Sequence, residues 1–326
     1  MKAAVFFKYG SPGVISINEV EKPAPKSGEV LIQVQAASVN AYDWHLVGAK
    51  PFFTRFLSGL LKPKNNILGA DIAGIVAGVG TNSSKFKIGD EVYCCLEGCG
   101  RGGLAAGGFA EYVCAKESNL APKPDSISFE EAAALPMAAV TALQAVRDDA
   151  GVKPGQSVLI NGGSGGVGTF AVQIAKAIGG EVTAVCSTKA VETVRSLGAD
   201  HVIDYKMEDV VNCGRQFDAV IDVAATLSVK KCRSLLKLNG ICVIVGFSTI
   251  GHMIAYNLAG KRDGKKMKNC LANNRISKPL LDINNLIGEG CLRPVIDSRY
   301  PLEQTAQALR HAETGHPIGK IVVACF

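Results

Sequence analysis

The sequence predicts an α/β protein with two domains, one β-rich and the other built on a doubly wound parallel sheet. Three observations lead to this prediction. The chain has 326 residues, more than one hydrophobic core usually supports. Roughly its first 120 residues alternate short β-rich runs with glycine and proline. After Pro122-Lys123-Pro124, strands and helices alternate regularly, which is typical of a parallel sheet with helices on both faces.

The N-terminal region contains short apolar runs that are separated by turns. Strands are predicted at residues 30–34, 72–79 and 91–95. Because turns such as KIGD at residues 87–90 interrupt these strands, the pattern predicts a compact, barrel-like β domain.

The middle of the chain predicts the parallel-sheet domain. A helical period appears at residues 129–146, and an apolar strand at residues 157–160 leads into a glycine-rich turn. An amphipathic helix follows the turn, and the strand at residues 181–186 completes one βαβ unit. Strand–helix alternation then continues to residue 246.

The tail returns to β character from about Arg293. A helix is predicted at residues 303–312 and a final strand at residues 320–325. Because such a strand can pair with the first domain, we expect the parallel-sheet domain to be an insertion. The predicted limits are residues 1–122 and 293–326 for the β-rich domain and residues 123–292 for the parallel-sheet domain.

The glycine-rich turn predicts a dinucleotide site. Residues 161–168 read NGGSGGVG and contain the pattern G-x-G-x-x-G in a strand–turn–helix context. Glycines let the backbone approach a pyrophosphate closely, and the helix N-terminus offers unpaired N–H groups and a positive dipole end. The predicted phosphate-binding residues are Gly163, Ser164, Gly165, Gly166, Val167 and Gly168. The alternative is a glycine-rich turn that binds no ligand.

Cofactor choice depends on the end of the second strand, about 20 residues beyond the glycines. An NAD site usually has Asp or Glu there, whereas this chain has Ser187, Thr188 and Lys189. Hydroxyls and an ammonium donate hydrogen bonds to a 2′-phosphate, which a carboxylate would repel. The sequence therefore predicts NADP(H), the alternative being that Lys189 is a solvated residue at a helix start.

The cysteines do not predict a metal site. The chain has 11 cysteines, and they are scattered, so we expect no disulfide framework. Their local cluster lacks the paired C-x₂₋₄-C spacing of structural zinc, and no histidine is spaced to complete it. This cluster consists of Cys94, Cys95, Cys99 and Cys114.

Short segments along nearly the whole chain occur in an order that is specific to one family. They are ASVNAYD (37–43), GADIAG (69–74), FKIGDEVY (86–93), GFAEY (108–112), AAALP (132–136), the glycine turn, LGAD (197–200) and GKIVV (319–323). On these segments the chain resembles the zinc-free quinone oxidoreductase branch of the medium-chain dehydrogenases/reductases, and it is also similar to plant enone reductases. The resemblance implies a GroES-like catalytic domain and a Rossmann domain.

The resemblance also implies roles for individual residues. The zinc-dependent branch carries Cys in the first segment and Gly-His-Glu in the second, where this chain has Ser38-Val39-Asn40 and Gly69-Ala70-Asp71. Asn40 and Thr141 would lie near the nicotinamide. Gly165, Gly166 and Val167 would hold the pyrophosphate, and Ser187, Lys189 and Tyr205 would surround the 2′-phosphate. We also assign Gly246 and Phe247 to the cofactor site.

Without a metal or a nucleophile–base array, the chemistry must come from the cofactor. Conjugated acceptors spread developing negative charge, whereas an unactivated ketone or alcohol normally needs zinc. We therefore predict an NADPH-dependent oxidoreductase that acts on a small apolar electrophile, a quinone or alternatively an α,β-unsaturated aldehyde or ketone. The candidate catalytic residues are Asn40, Tyr42 and Asp43, with His45 as a further proton-handling candidate, and each has a structural alternative. A protein that binds NADPH or RNA without turnover is the non-enzymatic alternative.

Two segments suggest contacts outside this site. Residues 44–61 contain an apolar helical stripe, formed by Phe52, Phe53, Phe56, Leu57, Leu60 and Leu61. This stripe is core packing, a flap over an apolar substrate, or a shallow contact with a membrane surface. Residues 261–268, KRDGKKMK, are expected to be a solvated loop, with nucleic-acid binding as the alternative.

The N-terminal apolar run, residues 3–7, is too short for a signal-peptide core, and no segment reaches the length of a membrane span. We therefore expect a cytosolic location. The net charge of +6 suits an anionic small ligand but does not by itself indicate nucleic acid. We also expect a homodimer.

Overall fold

The computed structural model describes residues 1–49, 55, 59–96, 107–246, 250–270, 277–313 and 316–326. The chain divides into two compact units. The first contains residues 1–138, 273–288 and 294–326, and the second contains residues 139–272 and 289–293. Among the helices in the described ranges, none is long and apolar enough to cross a membrane.

The first unit begins with strands and short helices. They are β1 (Lys2–Val5), β2 (Ser16–Glu19), β3 (Glu29–Val39), α1 (Ala41–Gly48), β4 (Asp71–Val79), β5 (Glu91–Cys95), β6 (Tyr112–Lys116), β7 (Ala121–Pro122) and α2 (Phe129–Ala133). β3 is the centre of this unit because it pairs antiparallel with both β4 and β6. Register shifts interrupt its pairing with β4, as expected of a strand that bends around a barrel-like core.

The helix predicted at residues 129–146 is two helices in the structure. Ser128 caps α2, since its Oγ accepts the Glu131 N–H at 3.2 Å while Glu131 Oε2 accepts the Ser128 N–H at 2.8 Å. α3 (Pro136–Leu143) begins at a proline, which has no N–H to continue the preceding helix but suits a first turn. A π-helical turn, Gln144–Asp149, follows α3.

The second unit contains the predicted alternation of strands and helices. Its elements are β8 (Ser157–Asn161), α4 (Gly166–Ala177), β9 (Glu181–Cys186), α5 (Val191–Ser196), β10 (His201–Asp204), β11 (Phe217–Asp222), α6 (Val229–Leu235), β12 (Leu236–Val245), α7 (Ile250–Ala259), β13 (Lys261–Arg262) and β14 (Lys265–Cys270). Within the described residues the sheet order is β10-β9-β8-β11-β12-β14-β13, parallel except for the β13–β14 hairpin. Its core includes Leu159, Phe217 and Tyr256. β8 lies at the point where the strand order reverses, which is where such sheets bind ligands.

The basic run at residues 261–268 is an edge hairpin rather than the predicted loop. Lys265 Nζ donates to the Arg233 carbonyl at 2.6 Å, and Lys268 pairs with Asp149. Lys261, Arg262 and Lys266 are exposed. Two of the cations on which the nucleic-acid alternative rests therefore have partners within the unit.

The C-terminal elements belong to the first unit. They are α8 (Ser277–Gly288), β15 (Ile296–Pro301), α9 (Thr305–Glu313) and β16 (Lys320–Ala324). β16 pairs antiparallel with β3, as the predicted return of the final strand requires, and the described sheet has the order β15-β16-β3-β4-β5-β7. The Tyr93 hydroxyl donates to Asn284 Oδ1 at 2.6 Å, which links α8 to β5. The domain limits predicted from the sequence stay a prediction.

Short 3₁₀ helices connect several elements, at Pro12–Val14, Glu117–Asn119, Thr188–Ala190, Val210–Asn212 and Leu302–Gln304. The stripe predicted at residues 44–61 begins within α1. This helix ends at Gly48, and Ala49 follows it with a left-handed φ of 46°. Phe52, Phe53, Phe56 and Leu57 lie outside the described residues. Leu60 and Leu61 are exposed, so these two residues do not pack in the core.

Candidate functional site

The glycine turn connects β8 to α4 in the second unit. Gly162 has φ of 84°, and the N–H groups of Gly162 and Gly163 both donate to the Val185 carbonyl, at 3.1 and 2.9 Å. These two hydrogen bonds hold the turn against the end of β9. α4 begins directly after Gly165. The N–H groups of the first helical turn have no partner within the helix by geometry, so this end of α4 offers donors to an anion.

The three glycines of the G-x-G-x-x-G pattern differ in whether the surrounding protein requires a glycine at their position. A Cβ on Gly168 would lie 2.0 Å from the Gly162 carbonyl oxygen, and one on Gly163 would lie 2.9 Å from the Ala184 Cβ. These two glycines are required by the close packing of the turn itself. At Gly165 the nearest atom to a Cβ is 3.7 Å away, so the protein alone does not require glycine there. Ligand approach stays the predicted reason for a glycine at that position.

A buried polar network holds the strand ends beside the turn. Asn161 Nδ2 donates to Asp222 Oδ1 at 2.6 Å and to Thr226 Oγ1 at 2.9 Å. Asp222, which is fully buried, accepts the Leu227 N–H at 2.9 Å through its other oxygen. The network joins the carboxyl ends of β8 and β11. Asp222 was not predicted as a site residue, because nothing in its local sequence distinguishes it from other strand-end acids.

The segment that follows β9 is joined to the end of β10. The Tyr205 N–H donates to the Cys186 carbonyl at 3.1 Å, and Tyr205 is 53% exposed. Ser187 is half-buried, while Thr188 and Lys189 are exposed. The structure therefore brings together the residues predicted to surround a 2′-phosphate.

An acid from β10 is a hydrogen-bond partner of Thr188. The Thr188 hydroxyl and N–H donate to Asp204, and the hydroxyl hydrogen bond is the main cause that lowers the pKa of this carboxyl. The Thr188 hydroxyl hydrogen is donated to this carboxylate, a contact that does not favour its predicted donation to a phosphate. The phosphate-binding roles of Ser187, Thr188 and Lys189 stay predictions. Asp204 was missed because the prediction considered the end of one strand and not its neighbour.

In the first unit, five polar side chains form a buried ion cluster: Ser38, Asn40, Asp43, Asp71 and Lys320. Lys320 Nζ donates to Asn40 Oδ1 at 2.6 Å and to the Val39 carbonyl at 3.1 Å. Asn40 Nδ2 donates to Asp71 Oδ2 at 3.0 Å, and Ser38 Oγ donates to the same oxygen at 3.4 Å. The Asn40 amide therefore bridges an ammonium and a carboxylate.

Asp71 also connects this cluster to a helix N-terminus. Both of its carboxylate oxygens lie within 3.2 Å of the Met137 N–H in the first turn of α3. Burial raises the pKa of Asp71, while Lys320 and these hydrogen bonds oppose the rise. Burial lowers the pKa of Lys320, and the two aspartates oppose that change. The two charges thus stabilise each other in a place where either alone is disfavoured.

The Asp43 side chain accepts hydrogen bonds from two backbone N–H groups. Its carboxylate accepts the Asn40 N–H at 2.8 Å, at the N-terminus of α1, and the Gly69 N–H at 3.1 Å. Burial raises its pKa to about 7. The side chain is fully buried, so its contacts favour a capping role, and the catalytic role predicted for Asp43 stays a prediction that they do not favour.

Tyr42 differs from Asp43 in its hydrogen bonding. Its hydroxyl oxygen is buried and has no hydrogen-bond partner among the described residues. Burial, with a smaller effect of Asp43, raises the pKa of Tyr42 to about 12. The hydroxyl therefore stays protonated at neutral pH and has a hydrogen to donate. Of the candidate catalytic residues Asn40, Tyr42 and Asp43, this one has an unused donor.

The other predicted cofactor residues are less informative. Thr141 is half-buried on α3 and its carbonyl is 4.0 Å from Cys270 Sγ, while Gly246 follows β12 with φ of 82°. Phe247 lies outside the described residues. The cofactor roles of these residues stay predictions.

The described cysteines are mostly buried thiols. Cys94 is free and fully buried, Cys114 is free and half-buried, and Cys95 is disulfide-bonded. Cys99 lies outside the described residues. Within the parts of the chain that the structure describes, no group of three or more His, Cys, Asp or Glu side chains is arranged to hold a metal ion.

Two compact units, one with a barrel-like sheet and one with a parallel sheet and a dinucleotide-type turn, define a two-domain dehydrogenase architecture. Residues 26–125 match the family model described as alcohol dehydrogenase GroES-like domain, and residues 197–323 match the one described as zinc-binding dehydrogenase. The chain belongs to the medium-chain dehydrogenase/reductase family, among its quinone and enone oxidoreductases. The predicted family, the α/β fold class and the oxidoreductase class are confirmed.

Similarity extends over the full chain. This chain is 34% identical to the chloroplast envelope quinone oxidoreductase homolog of Arabidopsis thaliana, over 99% of this chain and 98% of that protein. It is 33% identical to the chloroplastic NADPH-dependent alkenal/one oxidoreductase of Arabidopsis thaliana, over 99% and 79%. The quinone oxidoreductase structure from Coxiella burnetii superposes with a TM-score of 0.87 at 32% identity, over 99% of both chains. None of these names supports the non-enzymatic alternative.

Proposed function

We propose that this protein is a zinc-independent, NADPH-dependent reductase of quinones. The observation that carries the proposal is the glycine turn at the start of α4, with Ser187, Lys189 and Tyr205 at the adjoining strand ends. A helix N-terminus suits a pyrophosphate, and an exposed ammonium beside a hydroxyl and an aromatic ring suits a 2′-phosphate and adenine. When bound, NADPH supplies a hydride.

Cofactor preference is tested at Lys189. Lys189→Ala removes the cation proposed to bind the 2′-phosphate, which NADH lacks, so the Kd for NADPH should rise about 10-fold or more while that for NADH changes little. Lys230→Ala is the matched control, because Lys230 is an exposed lysine on α6 of the same unit. Fluorescence titration measures both constants. Equal losses for the two cofactors would refute the proposed role of Lys189.

The first unit does not suit a catalytic zinc ion. Where the zinc-dependent branch has a Cys and the sequence Gly-His-Glu, this chain has Ser38-Val39-Asn40 and Gly69-Ala70-Asp71. The Asn40 amide is bonded to the Lys320 ammonium and to Asp71, and a cation close to Nζ would be repelled. The proposed reaction therefore has no step that uses a metal. Metal analysis of the purified protein, together with unchanged turnover in a chelator, tests this part of the proposal.

In the reaction, we assign to Tyr42 the donation of a hydrogen bond to the acceptor oxygen. Negative charge develops on this oxygen as a quinone or an enone takes up a hydride, and a preplaced donor stabilises it. The protonated hydroxyl of Tyr42, which has no partner among the described residues, supports this assignment. Asn40 is assigned a place beside the nicotinamide, as the family resemblance implies.

An enone reductase is the second candidate, because the similarity to the alkenal/one oxidoreductase is nearly as high as that to the quinone oxidoreductase homolog. NADPH oxidation with 9,10-phenanthrenequinone, 1,4-benzoquinone and 1-octen-3-one separates the two. Turnover confined to the quinones supports the proposal, and a saturated ketone product favours the alternative. Radical products indicate one-electron transfer to quinones, and their absence indicates hydride transfer. If none of the three is reduced, the proposed activity is wrong.

A homodimer and a cytosolic location remain part of the proposal. Light scattering on the purified chain tests the first, and microscopy of a tagged chain in its native cell tests the second. Relatives with chloroplastic and mitochondrial names make the location test necessary.

A further inference from the structure

The Asn40 amide is held in one orientation by two opposite charges. Its Oδ1 lies 2.6 Å from Lys320 Nζ, and its Nδ2 donates to Asp71 at 3.0 Å and to the Ser38 carbonyl at 3.4 Å. A rotation of the amide by half a turn would place NH₂ against the ammonium and the carbonyl oxygen against the carboxylate. Both contacts would then be repulsive. Lys320 and Asp71 together therefore select one rotamer of Asn40.

The same ammonium holds the backbone that precedes α1. Lys320 Nζ donates to the Val39 carbonyl, and Asn40 itself is the N-cap residue of α1 in an extended conformation. Lys320 is only 4% exposed, although it is the first residue of β16. β16 pairs with the end of β3, where Ile321 is opposite Val39, and this register delivers the side chain to Asn40. A lysine is rarely buried unless its charge is paired or has a functional role.

We propose that Lys320 is a positioning residue of the reductase, which acts by fixing the Asn40 carboxamide and the start of α1. This inference rests on the proposed function, which assigns Asn40 to the nicotinamide and Tyr42, two residues further, to the acceptor. The oxygen and both N–H hydrogens of the Asn40 amide have protein partners, so Asn40 contributes by its place rather than by donating to a ligand.

Three variants separate positioning from support of the fold. Lys320→Met removes the ammonium and leaves Asp71 buried without its counter-charge. Lys320→Met with Asp71→Asn removes both charges and so relieves that penalty. Lys320→Arg keeps the charge. We expect the single Met variant to lose both thermal stability and turnover with 9,10-phenanthrenequinone. The double variant should regain most of its Tm while kcat stays at least about 10-fold low and the KM for NADPH stays within about twofold, as for a misplaced reacting group. The Arg variant should regain part of kcat.

The NMR signals of the Asn40 side-chain amide provide a readout without turnover. In protein labelled with ¹⁵N-asparagine, the pair of signals missing from Asn40→Asp identifies them. Both Met variants should shift these signals, and the Arg variant should shift them least. Unmoved signals in Lys320→Met, or a kcat that recovers together with Tm in the double variant, would overturn the inference. Absence of turnover by the wild type with every acceptor would overturn the proposed function instead, and the NMR signals would still decide whether Lys320 holds Asn40.

Discussion

The glycine turn of the second unit is continuous in sequence, whereas the buried ion cluster of the first unit joins residues from β3, the start of α1, β4 and β16. In the turn, backbone atoms pack closely against each other and leave no room for a side chain at Gly168. In the cluster, charged and polar side chains bond one another as well as the backbone, and their charges must balance. The turn is therefore sensitive to an added methyl group and the cluster to a lost charge.

The largest effect on stability is expected in the turn. Gly168→Ala places a Cβ at 2.0 Å from the Gly162 carbonyl oxygen, and both atoms belong to rigid backbone. We expect the free energy of unfolding to fall by about 3 kcal/mol or more, since the turn and α4 must separate. Urea denaturation of the purified variant, read by circular dichroism, measures this change.

Gly165→Ala is the matched variant, because its Cβ meets no protein atom closer than 3.7 Å. We expect its unfolding free energy to change by no more than about 0.5 kcal/mol while its affinity for NADPH falls. Similar stability of the two variants would contradict the different reasons given for these glycines. Unchanged NADPH affinity in Gly165→Ala would remove ligand approach as the reason for Gly165.

The same contrast explains what the sequence could predict. The strand, turn and helix around Gly163 are adjacent, so their pattern states both the fold and the ligand. Asp71 and Lys320 are far apart in the chain, and only the pairing of β16 and β4 with β3 brings them to Asn40. Composition and spacing carry no sign of that contact.

Asp204 shows the same limit inside the Rossmann-type unit. In the sequence the end of β9 is followed by Ser, Thr and Lys at residues 187–189 and by no acid. The carboxylate comes from the neighbouring strand, β10, whose place beside β9 is a matter of sheet order. The predicted helical period at residues 129–146 corresponds to two helices rather than one, for a local reason that the sequence contains, namely Pro136 after the Ser128 cap.

A smaller effect, which depends on pH, is expected in the cluster. Burial raises the pKa of Asp43 from its ordinary 3.8 to about 7, with Asp71 from β4 and Lys320 from β16 as the charged groups that face it. Between these values the unfolded chain has lost the proton and the folded chain keeps it. The stability contribution is therefore full below pH 3.8 and is lost as the pH rises through about 7, by at most about 1.4 kcal/mol per pH unit.

Asp43→Asn removes this titration. The variant loses one of the two backbone contacts and is less stable at pH 5, but its unfolding free energy should decline less than that of the wild type between pH 5 and 7. Asp125→Asn, at an exposed carboxylate of the same unit, should follow the wild-type curve. Urea denaturation at several pH values gives the slopes. A slope in Asp43→Asn equal to that of the wild type would contradict the raised pKa.

The smallest effect on stability is expected at Tyr42, which borders the cluster in sequence but does not share its hydrogen bonds. Tyr42→Phe removes a buried hydroxyl without a described partner, so the free energy of unfolding should stay the same or rise by up to about 1 kcal/mol. If the hydroxyl donates to the acceptor oxygen, kcat should nevertheless fall by about 10-fold or more, with the Kd for NADPH unchanged. Thermal unfolding and steady-state turnover with 9,10-phenanthrenequinone measure the two quantities on the same preparation. A loss of stability would mean that the hydroxyl has a hydrogen-bond partner in the folded protein. Unchanged turnover would mean that Tyr42 is not the donor to the acceptor oxygen.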